Sequence, residues 1–232
     1  MNDQLIVCIL GMHRSGTSCL TGSLEQAGLR LGEVHTWNPY NTRGNRENQA
    51  VVDFHEDVLA ANGASWDEPP RKLRFAQADI DKARALVAAC SGGEPWGFKD
   101  PRALLALPLW QAALPTLRFV GIFRHPLAVS ESVSHRAGGR ITIEQGVALW
   151  HHYNRILLRA WKQQRFPMLC FDWDEQRFQQ QLAHTIAGLG LSVEAGEEPF
   201  YSGEMKHFDT SRWSGVPWRS RRLYSKLEAA CV

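Results

Sequence analysis

The strongest constraint on this chain lies between residues 5 and 28. The apolar run Leu5-Ile6-Val7-Cys8-Ile9-Leu10 leads into Gly11-Met12-His13-Arg14-Ser15-Gly16-Thr17-Ser18, and a helical pattern from Thr17 to Ala27 ends at Gly28. Six apolar residues without alternation suit a strand buried on both faces, and glycine after the last periodic residue suits a helix stop. A strand, a glycine-bounded loop and a helix in that order build an anion cradle, because the loop N–H groups and the helix N-terminus point at the ligand. The two glycines keep the spacing G-x-x-x-x-G-K-[ST] of triphosphate-binding loops, but Thr17 stands where that pattern has lysine. That lysine reaches the β- and γ-phosphates of a triphosphate. A loop that lacks it and carries Arg14 inside the cradle suits a different phosphorylated ligand.

Three further runs, Trp96–Lys99, Leu117–Phe123 and Met168–Phe171, read as strands. Helical spacing marks Ala50–Ala61, Ala78–Cys90, Pro126–Arg136, Ile143–Gln164 and Gln176–Leu189. Thr142 just before the Ile143 helix, with Glu144 in its first turn, favours the start there. Alternating strands and helices predict an α/β fold, a three-layer α/β/α arrangement with a mostly parallel sheet, like that of P-loop nucleotide hydrolases. The length of 232 residues fits one domain. Ligands on such sheets bind beyond the carboxyl ends of the strands.

Two stretches carry no periodicity, Glu33–Asn48 and Glu197–Arg222, and long irregular segments often carry function. From Lys206 to Lys226 there are six basic residues (Lys206, Arg212, Arg219, Arg221, Arg222, Lys226) against Asp209 alone. The expectation is a basic loop over about 197–222 that closes on an anionic ligand, with Trp213 and Trp218 as either stacking groups or packing anchors.

Composition excludes little but narrows the setting. A net charge of +2 argues for neither a nucleic-acid nor a membrane-surface partner. The five cysteines are scattered without zinc or redox spacing, which suits a reducing compartment. The N-terminal apolar run is far shorter than the about 20 residues of a membrane span, so a cytoplasmic protein with no span is expected. Trp110, Trp150 and Trp161 fall in helical patterns and are expected in the core rather than on a sugar-binding face.

Two more motifs sit at strand ends. In Phe123-Arg124-His125-Pro126, followed by Ser130, Ser132 and Arg136, the Arg124 side chain leaves the strand and Pro126 can open a helix. Ser132 and Arg136 are four residues apart and share a helix face. Two guanidinium groups and a hydroxyl can clasp a second phosphate. In Phe98-Lys99-Asp100-Pro101-Arg102, Lys99 would face the crevice while Asp100 caps the turn that Pro101 opens.

Together these motifs resemble sulfotransferases that use 3′-phosphoadenosine 5′-phosphosulfate (PAPS), of the bacterial type. The resemblance implies that Arg14-Ser15-Gly16-Thr17-Ser18 holds the 5′-phosphosulfate and that Arg124 and Ser132 hold the 3′-phosphate. Lys99-Asp100-Pro101 and Arg136 are similar to motifs of tyrosylprotein sulfotransferases. The implied reaction moves a sulfuryl group in line to a hydroxyl or amine, releases 3′,5′-ADP and demands no metal; positioning and charge stabilisation dominate such transfers. Arg14 and Lys99 would neutralise developing charge. Glu47, in Gly44-Asn45-Arg46-Glu47-Asn48, is the first choice for the general base, and His13, His35 and His55 compete with it. The acceptor is open among small molecules, carbohydrates, lipids and peptides. Two other readings stand beside this one: a P-loop kinase or nucleotide hydrolase whose loop lysine is replaced, and a noncatalytic phosphonucleotide-binding module.

Overall fold

A computed structural model of the protein describes residues 4–37, 44–193, 200–201 and 212–231. Its four strands form one all-parallel sheet: β1 (Ile6–Leu10), β2 (Trp96–Lys99), β3 (Arg118–Phe123) and β4 (Met168–Cys170), in the order β2-β1-β3-β4. The register sets Ile9 beside Lys99 and Val120, and Phe123 beside Cys170. Val7 to Leu10 have no exposed surface, which is the reason for their unbroken apolarity. The helices are α1 (Thr17–Gln26), α2 (Gln49–Ala61), α3 (Gln77–Ser91), α4 (Leu107–Ala113), α5 (Pro126–Arg136), α6 (Ile143–Gln163), α7 (Glu175–Gly188) and α8 (Trp218–Glu228). With helices around a parallel sheet, the architecture is P-loop NTPase-like, as the alternating pattern predicts.

The strand order places the site. The chain leaves β1 to build β2 on one side, then returns to lay β3 on the other. The crevice between the carboxyl ends of β1 and β3 is therefore the switch point where such sheets bind ligands. The loop Gly11–Gly16 and the turn Arg124–His125 both open there.

Local sequence explains the element ends. The Thr142 hydroxyl accepts from the Gln145 N–H at 3.2 Å, and the Gln145 side chain accepts from the Thr142 N–H at 2.8 Å, which is a capping box at the start of α6. Asn48 accepts from the N–H groups of Ala50 and Val51 and starts α2. Asp100 caps a short 3₁₀ turn, Pro101–Leu104, by accepting from the Arg102 N–H at 2.9 Å. Trp110 and Trp150 are fully buried, and Cys8 and Cys170 are core residues.

One boundary differs from the sequence reading. The irregular segment was expected to run to Arg222, but α8 already begins at Trp218. Pro217 precedes its first turn, and Leu223, Tyr224 and Leu227 form a buried stripe that orders the basic residues between them. The rest of the expected basic loop, including Lys206 and Asp209, lies outside the described residues, as do residues 38–43 of the other irregular stretch.

The α5–α6 pair presents Ser132 and is packed to contact. A Cβ added at Gly146 of α6 would lie 2.8 Å from the Ser130 Cβ and 2.9 Å from its Cα. Overpacking of this kind costs about 1–3 kcal/mol, while replacing a helical glycine by alanine gains about 0.8–1.0 kcal/mol. Gly146→Ala should therefore lower stability by up to about 2 kcal/mol in urea denaturation. Gly188 meets nothing within 4 Å, so Gly188→Ala should raise stability by about 0.5 kcal/mol.

Candidate active site

The loop after β1 bends as an anion cradle must. The Ser15 N–H donates to the Met12 carbonyl at 3.2 Å. Gly16 adopts φ 86°, and a Cβ there would run into the Phe171 ring. Only glycine combines that backbone with that clearance. Thr17, the residue in the lysine position, is 4% exposed and turns its methyl toward Gly11. Ser15 is fully buried, and its hydroxyl has no hydrogen-bond partner among the described residues. The Ser18 hydroxyl donates to the Asn45 carbonyl at 3.1 Å and so ties the cradle to the segment that carries Glu47.

Three arginines come together beside this loop. Arg14 Nε donates to Ser132 Oγ at 2.7 Å, across 118 residues of sequence. Burial first, then the charges of Arg136 and Arg124, lower the Arg14 pKa. Arg124 is 5% exposed; its Nε lies 3.6 Å from Asp172 Oδ1, and its guanidinium stands 5.2 Å from the centre of the Phe171 ring. Asp172 also accepts from the His125 N–H at 2.5 Å and from the Tyr224 hydroxyl at 3.2 Å. The His125 ring is covered by Trp213 at 4.2 Å between centroids, so Trp213 is a packing residue here, whereas Trp218 is 63% exposed.

Opposite lies a buried charge network. Lys99 is 2% exposed, and its Nζ donates to Glu47 Oε1 at 2.7 Å. Burial lowers the Lys99 pKa, and the Glu47 carboxylate opposes the fall. Asp100 is fully buried and accepts from His55 Nδ1 at 2.9 Å and from Arg102 Nη1 at 3.0 Å. Burial would raise its pKa, but His55 and Arg102 hold it well below the usual carboxylate range. The Trp110 indole donates to His55 Nε2 at 2.7 Å. An indole can only donate, so His55 accepts at Nε2 and donates from Nδ1 to Asp100. Both nitrogens are used within the core. Arg102 Nη2 continues the chain to Glu56 Oε1 at 2.8 Å.

A cavity of about 230 Å³ opens between these groups; Arg14, Glu47, His13, Trp66, Arg102 and Arg136 line it. His13 packs on Trp66 with ring centroids 4.7 Å apart, and its Nε2 has no hydrogen-bond partner among the described residues. Burial, then the Arg102 charge, pushes the His13 pKa down to about 3. His35 is exposed, bonds Gln49 at 2.8 Å and does not line the cavity. Among the described residues no group of three or more His, Cys, Asp or Glu side chains is placed to hold a metal ion.

The structure thus brings Arg14, Ser132, Arg124 and Arg136 to one side of the reaction crevice and Glu47 with Lys99 to the other. Sequence reasoning missed Asp172, Trp66 and the role of Arg102. Asp172 follows β4 as Arg124 follows β3, so the strand-end logic was available for it. Nothing in the sequence around Trp66 signals a cavity wall.

The fold has parallels in known proteins. The model of the sulfotransferase family matches residues 7–180, and the chain belongs to that family. In fold it is similar to the sulfotransferase domain of the Synechococcus PCC 7002 olefin synthase, with a TM-score of 0.60, 15% identity and coverage of 98% of this chain and 97% of that one. It is also similar to sulfotransferase STF9 from Mycobacterium avium, with a TM-score of 0.50, 14% identity and coverage of 97% of this chain and 69% of that one. No curated protein sequence matches it. No helix among the described residues is long and apolar enough to cross a membrane.

The depressed His13 pKa makes stability depend on pH. An unfolded histidine titrates near 6.5 and the folded one near about 3. Between those values the unfolded chain binds the extra proton, so the contribution is complete above about pH 6.5 and is lost as pH falls toward 3. His151 and His152 are also pushed down by burial, so the comparison is with His13→Gln. Between pH 6.5 and 5 the wild type should lose about 1.6 kcal/mol more than the variant in chemical denaturation.

Proposed function

We propose that this member of the sulfotransferase family transfers a sulfuryl group from PAPS to a hydroxyl or amine acceptor. The observation that carries the reading is the convergence of Arg14, Arg124 and Arg136 on a glycine-bounded loop with an unpartnered buried Ser15 hydroxyl. Arg124 is paired with Asp172, whereas Arg14, whose pKa is lowered by burial and by the neighbouring Arg136 and Arg124 charges, is the cation a bound anion would stabilise. The 5′-phosphosulfate would rest on the N–H groups of Ser15 to Ser18 and on Arg14, and Arg124, Ser132 and Arg136 would hold the 3′-phosphate. When bound, PAPS supplies an electrophilic sulfur whose bond to the phosphate oxygen breaks as the acceptor oxygen bonds to it, leaving 3′,5′-ADP.

Glu47 is the base this geometry favours. It lines the cavity, and its second oxygen remains for an acceptor proton while Oε1 binds Lys99. His55 has both nitrogens committed in the core, and His13, with a pKa of about 3, is a poor proton acceptor near neutral pH. Lys99 fixes the Glu47 carboxylate and places a positive charge beside the reacting centre. The kinase reading lacks support at its main requirement, since the lysine position holds an inward-turned Thr17.

The reading is tested by thermal shift with 3′,5′-ADP and with ATP-Mg. A large stabilisation by 3′,5′-ADP alone is expected, because a ligand that binds only the folded state stabilises by RT ln(1 + [L]/Kd); preference for ATP-Mg would reverse the proposal. Arg124→Ala and Ser132→Ala should weaken 3′,5′-ADP far more than 5′-AMP, by about 1.5–3 kcal/mol each. Isothermal titration measures both, and equal losses would reduce the two residues to fold support. Arg14→Ala should lower turnover by about 10²–10³ at saturating donor. Glu47→Gln should lower kcat by about 10²–10⁴, abolish the acidic limb of the rate profile and leave 3′,5′-ADP affinity unchanged. A retained acidic limb would assign the base elsewhere.

A further inference from the structure

The cavity's lining says what kind of acceptor it takes, and the inference rests on the sulfotransferase reading above. Arg14 and Arg136 border both the cavity and the proposed donor groups, but Gly16, Thr17, Ser18 and Arg124 of the donor cradle do not line it, and Glu47, the proposed base, does. The space therefore lies on the acceptor side. Its charge is one-sided: Arg14, Arg102, Arg136 and Arg140 face it against Glu47 alone.

Those charges differ in how far they are already answered. Glu47 is bound by Lys99, and Arg102 is held by Asp100 and Glu56. Arg14 and Arg136 face the donor's anionic groups in the proposed function. Arg140 stands apart. Its Nε donates to the Ala137 carbonyl at 3.2 Å, and it has no ion pair among the described residues. It extends past the end of α5, where Val133 and Ala137, one turn apart, give the cavity a small apolar face. Trp66 and His13 add aromatic surface. At about 230 Å³ the space is below the roughly 300–1,000 Å³ of pockets for drug-sized ligands.

We infer that the acceptor is a small hydroxyl compound, about one ring in size, that carries an anionic substituent bound by Arg140. The ring lies against Trp66 and the Val133–Ala137 face. The hydroxyl then reaches Glu47, and the anion points to the far, cationic end. An ammonium substituent would meet the arginines and be repelled, and a neutral one would leave the exposed Arg140 guanidinium with only the Ala137 carbonyl and solvent.

The test uses protein saturated with 3′,5′-ADP and titrates three single-ring probes: 4-hydroxybenzoate, its neutral isostere 4-hydroxybenzamide, and the cationic tyramine. The carboxylate should bind at least about tenfold tighter than the amide, as a charge-assisted hydrogen bond gives, and tyramine should bind more weakly than both. Arg140→Gln should reduce the carboxylate preference to below about threefold while leaving the affinities for 3′,5′-ADP and for the amide unchanged. Equal affinity for the acid and the amide, tighter binding of tyramine, binding of none of the three, or an undiminished preference in Arg140→Gln would each overturn the inference. The preceding 3′,5′-ADP titration separates the two failures. If the nucleotide itself does not bind, the donor reading falls and takes this one with it; if it binds and the probes do not discriminate, the acceptor inference alone falls.

Discussion

Charge burial at the carboxyl ends of a parallel sheet is the constraint on which this molecule depends. Lys99 ends β2 and Asp100 follows it, Arg124 follows β3 and Asp172 lies two residues beyond β4, and the first three are nearly or wholly removed from water. An unpaired charge in such a place costs several kcal/mol. Each has therefore drawn a partner from elsewhere in the chain: Lys99 has Glu47, Asp100 has His55 and Arg102, and Arg124 has Asp172. Arg14 differs. Its hydrogen bond goes to the neutral Ser132 hydroxyl, and among the described residues it has no ion pair. Arg14 lies in the glycine-bounded loop after β1.

This pairing explains why the site has two halves of unlike chemistry. On one side the charges are closed into a rigid network that runs from the Trp110 indole through His55, Asp100 and Arg102 to Glu56. Both His55 nitrogens and the Asp100 carboxylate are committed on that path, which holds the backbone from which Lys99 projects. On the other side the arginines repel one another, and burial makes that repulsion stronger. The paired charges of the first half hold in place the like charges of the second.

Much of this was legible in the sequence because strand ends are local features. The run Leu5–Leu10, the glycine spacing and the Pro126 and Asp100 turns each follow from neighbouring residues, and they locate Arg14, Lys99 and Arg124 at the crevice. The partners are not local. Lys99 meets Glu47 across 52 residues and Arg14 meets Ser132 across 118. The helix pair α5–α6 could be read from its periodicity, but not that Gly146 brings it close enough to place Ser132 under the loop. Likewise His55 carries the helical spacing of a core position. Its tautomer and its bond to Asp100 depend on Trp110, which reaches it only through the fold.

Backbone strain marks the same site independently of charge. Among the described residues, Arg14 at φ 65° and Arg46 at φ 54° are the non-glycine residues in the left-handed region. That conformation costs roughly 1 kcal/mol or more for a residue with a Cβ. Arg14 lies in the cradle, and Arg46 immediately precedes Glu47. Both are over-determined by their surroundings: Arg14 by Ser132, and Arg46 by its ion pair with Glu25 and its stacking 4.6 Å from the Phe200 ring. The Ser18–Asn45 bond joins the two strained loops directly. Such a link couples the conformation of the loop after β1 to the segment that aims Glu47, so Arg14 and Glu47 are positioned by two loops tied through a side-chain hydrogen bond rather than by two independent ones.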